Sequence, residues 1–166
     1  MALIVETGTG SATAESYASV AYFQSYHLDR GNAAAGLMTT AQIEESLRKA
    51  TDYMMQVYRG RWCGYKAVYD QALDWPRSGV IVDDFVIVDY QIVPVEVKKA
   101  CVELALKSFT GELFADEDQK VTSEKIGPIE IHYDSASVQR KRYRAIDSLL
   151  KVFLTGGSAM TRLVRT

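Results

Sequence analysis

A mainly α fold is what this chain's apolar spacing predicts: a bundle of about four helices, one or two small β-hairpins and an extended C-terminal tail. Three observations carry the prediction. Ile43, Leu47, Ala50, Met54 and Val57 recur at spacings of three and four, as one face of a helix requires. Ile129, Ile131 and Tyr133 alternate with Glu130, His132 and Asp134, the period of a half-buried strand. Gly156-Gly157 then interrupts the last apolar stripe and leaves a short remainder. The 166 residues suffice for one hydrophobic core without disulfides or metal. The division is a helical domain over 1–155 and a docking tail over 156–166.

In chain order, Leu3-Ile4-Val5 is a short strand or arm ahead of Gly8-Thr9-Gly10-Ser11. A first helix starts after Ser19, an N-cap residue, and runs through Val20, Phe23, Tyr26 and His27 to a stop at Gly31-Asn32. The stretch 33–38 is a connector. The second helix opens on Thr39 and Gln42, spaced as a capping box, and closes at Gly60. On it, Glu44 precedes Arg48 and Glu45 precedes Lys49 by four residues, the favourable order for helical ion pairs.

From Arg61 to Tyr90 no period holds, and Trp62 and Trp75 are expected to anchor this region to the core. Val80–Val82 and Phe85–Val88 straddle Asp83-Asp84, fitting either a small hairpin or a long loop packed by its own aromatics. Within the region, Trp75, Pro76 and Arg77 read as an ordered loop, with Arg77 reaching a carboxylate. Pro94 sits as the first residue of a third helix that ends at Gly111. Val97, Cys101, Leu104 and Ser108, widened by Val102, Ala105 and Phe109, place that helix centrally. An acidic surface loop at 115–120 precedes the strands Val121–Ile126 and Ile129–Tyr133. The last helix carries Tyr143, Ile146, Leu149, Leu150 and Phe153.

Catalytic and metal-binding templates are not met. His27 and His132 have no second histidine at ligand spacing, and the acidic clusters lack the calcium-loop pattern. Gly8-Thr9-Gly10 is not followed by the lysine of a phosphate loop. Cys63 and Cys101 read as core filler. The expectation is a protein that is not an enzyme, with no cofactor and no metal. No run reaches the roughly 20 apolar residues of a membrane span, and the N-terminus has no signal-peptide pattern, so a reducing intracellular site of synthesis is expected.

Charge is segregated behind a net −2. Residues 140–166 hold seven Lys/Arg against one acid, a net +6, while residues 1–139 hold 12 Lys/Arg against 20 Asp/Glu, a net −8. Two interaction elements result. Arg140, Lys141, Arg142 and Arg144 surround Tyr143, a pattern suited to nucleic-acid phosphates with base stacking, or else to a solvated helix face. Arg162, Leu163, Val164 and Arg165 combine apolar and cationic anchors in a hinged tail, which reads as a docking segment or as a frayed terminus.

Several segments together resemble one phage family: Ser16-Tyr17, Tyr26-His27, Arg30-Gly31-Asn32, Leu47–Tyr53, Ala72–Gly79, Val93-Pro94 and Ser123–Glu130. They resemble the DnaT-like proteins encoded among the head genes of tailed phages and prophages, which are similar in turn to head-completion, or head–tail connector, adaptors. That resemblance implies a structural virion protein at the head–tail neck, assembled in the host cytoplasm. It implies a homo-oligomeric, dodecameric ring on the portal protein, with a stopper or tail-completion protein below. Genomic DNA would pass through that conduit without specific binding, and the tail residues 162–165 would dock on the portal. The alternative is a single-stranded-DNA-binding replication accessory using Arg140, Lys141, Arg142 and Arg144.

Overall fold

A computed structural model describes residues 2–83, 85–114, 123–126, 129–132 and 143–155, the two short segments 123–126 and 129–132 as backbone only. The fold is mainly α with small antiparallel strand pairs, as the spacing predicts. Helices α1 (Val20–Leu28), α2 (Ala33–Gly36), α3 (Thr40–Tyr58), α4 (Val95–Thr110) and α5 (Arg144–Leu150) are followed by one 3₁₀ turn, Lys151–Phe153. Three two-stranded pairs complete the order: β1 (Tyr65–Lys66) with β2 (Arg77–Ser78), β3 (Ile81–Val82) with β4 (Val86–Ile87), and β5 (Ser123–Ile126) with β6 (Ile129–His132).

Helix α3 forms where its caps and its apolar stripe agree. The Thr39 side chain accepts from the Gln42 amide, and the Gln42 side chain accepts in return from the Thr39 amide, so two orphan donors are satisfied. Ile43, Leu47, Ala50 and Met54 are all buried. On the outer face Glu45 pairs with Lys49 at 2.6 Å and Glu44 with Arg48 at 3.8 Å. Arg48 also reaches Glu15 at 2.9 Å, tying α3 to the N-terminal arm.

The core centres on α3 against α4. Ser108 faces Ser46 and Cys101 faces Thr51, so the two helices run antiparallel. Val97, Cys101, Val102, Leu104 and Ala105 are buried, which fits the broad apolar surface expected of this helix. Phe109 is the exception, at 41% exposed. It lies one residue before the end of α4, where the chain leaves the helix at Gly111. Pro94 is the N-cap, not the first helical residue, and its carbonyl accepts from Val97 and Lys98.

Other boundaries shift for local reasons. The expected connector at 33–38 contains α2, one turn of consecutive alanines entered from Asn32. The last apolar stripe is split, because α5 ends at Leu150 and Phe153 belongs to the 3₁₀ turn. Tyr143 sits outside the helix as its N-cap. The segment around Asp83 is a hairpin, with Ile81 opposite Ile87. The strands at 123–132 pair in register, Ile126 opposite Ile129.

Trp75 is fully buried and holds the central segment to both ends of the fold. Its ring meets Trp62 edge-on at 5.8 Å and Phe153 at 5.3 Å, and Trp62 meets Tyr58 at 5.7 Å. The same region is stitched by backbone: Cys63 donates to the Phe153 carbonyl, and Thr155 donates to that of Arg61. Trp75→Ala should therefore cost roughly 3–5 kcal/mol in chemical denaturation, the range for deleting a buried aromatic. A loss below about 1 kcal/mol would show that the aromatic chain does not hold this segment.

Candidate nucleic-acid interface

The ordered loop predicted around Trp75 is built differently from the expectation. The Arg77 guanidinium does not reach a carboxylate. It donates to three backbone carbonyls, Cys63 and Gly64 at 2.7 Å each and Asp74 at 3.1 Å. The chain folds back so that β1 and β2 pair, which brings the carbonyls of 63 and 64 within reach of the side chain leaving β2. Partial burial pulls the Arg77 pKa below its ordinary value, opposed by the charge of Asp74. The Asp74 carboxylate instead accepts from Arg59 at 3.2 Å.

Gln71, which carries no signal of its own in the sequence, is the loop's second fastener. Its amide nitrogen donates to the carbonyls of Leu73 and Pro76, and its oxygen accepts from the Val68 amide. The Trp75–Pro76 peptide is cis. With Trp75 buried and each Arg77 nitrogen bonded within the loop itself, this motif shapes the fold.

The glycine loop near the N-terminus is likewise self-satisfied. Glu6 is buried, and its carboxylate accepts from the amides of Gly8 at 2.7 Å, Gly10 at 3.0 Å and Ser11 at 2.7 Å. These are the donors that would cradle a phosphate, and the protein fills them with its own anion. Gly8 has φ +116 and packs against the Gln91 carbonyl, where any Cβ would collide. Glu6 was legible only as one acid ahead of a glycine pair.

His27 is a core histidine. Its Nε2 lies 3.1 Å from the Val102 carbonyl, and Asn32 donates to Nδ1 at 2.9 Å. Both ring nitrogens are thus occupied, and Phe23 and Tyr26 pack edge-on against the ring. Among the described residues no three His, Cys, Asp or Glu side chains gather as a metal site, and no helix is long and apolar enough to cross a membrane. Cys63 and Cys101 are free thiols, both pushed up in pKa by burial.

Of the basic run, Tyr143 and Arg144 are described; Arg140, Lys141 and Arg142 lie outside the described residues, as does the whole tail with Arg162, Leu163, Val164 and Arg165. Arg144 is exposed in the first turn of α5. Tyr143 is half-buried, edge-on to Tyr53 at 5.6 Å, with the Lys107 ammonium 5.7 Å from its ring centre. Burial raises its hydroxyl pKa. The tyrosine that sequence reasoning offered to bases therefore packs on the core edge, while the cation after it faces water.

A helical protein with a cationic C-terminal end is the class these features define. The chain belongs to the family described as putative DnaT-like ssDNA binding protein, whose sequence profile matches it over residues 1–166. Comparison with curated proteins and with solved structures found no match. The family match bears out the DnaT-like half of the sequence resemblance and overturns the other half. A head–tail connector ring, with its portal and stopper partners and a conduit passing DNA without specific binding, is corrected: the family is described by single-stranded DNA binding, and nothing in it speaks of a portal.

Two outcomes check the site description. Glu6→Ala should destabilise by about 3 kcal/mol or more, since three amides lose a charged acceptor, and Glu6→Gln by less because one acceptor oxygen remains. Denaturation of both variants measures it. Cys101 should resist a thiol reagent at pH 8 until the protein unfolds, with Cys63 reacting slowly, because raised thiol pKa values leave little thiolate.

Proposed function

We propose that this protein binds single-stranded DNA through its cationic C-terminal end and acts as a non-enzymatic accessory to DNA replication. The family match along the entire chain carries the proposal. The charge distribution supports it: residues 140–166 concentrate seven Lys/Arg against one acid, on a chain whose remainder is net −8. Neutralising phosphates releases condensed counterions, and this term supplies most of the affinity of sequence-independent binding. The acidic remainder repels the polyanion, which favours phosphate contact at the basic end. Arg140, Lys141, Arg142 and Arg144 are the residues assigned to phosphate contact, with Arg162 and Arg165 available for further contacts.

A titration of a fluorescently labelled oligo-dT across a salt series tests this. Affinity should fall linearly in log–log form, with a slope of about −0.7 per phosphate neutralised. Replacing Arg140, Lys141, Arg142 and Arg144 together by alanine should flatten the slope by about 3 and leave thermal melting unchanged. Absence of binding at low salt, or binding indifferent to salt, would overturn the assignment.

A further inference from the structure

We infer that the cleft between the second half of α3 and the segment 111–114 that follows α4 is a nucleobase-binding pocket, with Phe114 as its stacking surface. This rests on the proposed single-stranded DNA binding and assigns it a site that base composition of the ligand, not phosphate alone, would report. The cleft has a volume of about 260 Å³ and is lined by Lys49, Asp52, Gln56, Ser108, Leu113 and Phe114. Phe114 is 47% exposed, yet its ring is held from behind by Tyr53, centroids 4.8 Å apart and planes at 42°. Tyr53 in turn holds Tyr143 edge-on, so three aromatic rings form a connected wall. An aromatic surface that is fixed on one side and open on the other is what stacking on a base requires.

Charge around this wall suits a strand. Lys107, exposed, places its ammonium 5.7 Å from the Tyr143 ring centre. Arg144 is exposed directly after Tyr143, and Lys49, one turn before Tyr53 on α3, lines the cleft and pairs with Glu45 at 2.6 Å. The acids facing the cleft are Asp52 and Glu112. Partial burial raises the Asp52 pKa. The Asp52 carboxyl and the Gln56 amide give polar edges where a base can hydrogen-bond, and Lys49 is the cation among the lining residues. Other aromatics are more exposed, Tyr69, Tyr65, Tyr90 and Phe85 among them, and Phe85, at 89%, lies in the β3–β4 turn beside Asp83 with no cation in that turn.

The test uses the full chain. Phe114→Ala should weaken oligo-dT binding about tenfold while leaving the salt slope unchanged, the signature of lost stacking. Phe85→Ala should bind as the parent does. Phe114→Trp should show emission quenched by oligo-dT and not by an abasic oligomer of equal charge, which keeps the test sound should the alanine variant fold poorly. If the parent binds with the expected salt slope but Phe114→Ala binds equally and Phe114→Trp is not quenched, the pocket is wrong and the broader proposal stands. If the parent does not bind DNA, both fall.

Discussion

The three hydrogen bonds from Arg77 to the carbonyls of Cys63, Gly64 and Asp74 fix the rest of the molecule's middle. A guanidinium is the only side chain with a planar fork of donors able to reach several carbonyls at once. By gathering them it closes the chain between Cys63 and Arg77 into a loop. Trp75 is thereby turned inward, against Trp62 and Phe153. Without that clamp, an irregular segment with no helical period would have no reason to follow a single path.

Helices α1, α3 and α4 were legible because local signals agree with burial. Ser19 caps α1 by accepting from Tyr22, and the Thr39–Gln42 box caps α3. Their apolar positions coincide with the buried face. The misses concern what a side chain meets outside its own element. Phe109 continues the apolar pattern of α4, but the pattern cannot show how much of it the rest of the chain covers. Arg77 was expected to meet a carboxylate because charge is visible in sequence, whereas backbone carbonyls brought near by a fold-back are not. Ala33–Gly36 is too short for any period to register, although its alanines favour a turn of helix.

Function was legible unevenly. The concentration of cations after residue 140 is a plain count, and it fits nucleic-acid phosphates or a solvated helix face. The resemblance in the Trp-Pro-Arg and Ser-Glu-Lys segments led to the right family and to the wrong member of its associations. The structure explains part of that error: the Trp-Pro-Arg loop is held in shape by its own internal bonds, so its residues serve the fold and do not point to a partner. The aromatic wall of Tyr53, Phe114 and Tyr143 could not be assembled from sequence, because its members come from three separate elements.

The pairing of Arg61–Cys63 with Phe153–Thr155 has a geometric consequence. Thr155 donates to the Arg61 carbonyl, so the end of the 3₁₀ turn is moored to the middle of the chain as well as to α5. Unravelling α5 from its C-terminal side therefore requires those backbone bonds and the Trp75–Phe153 contact to break with it, which makes the two segments one opening unit.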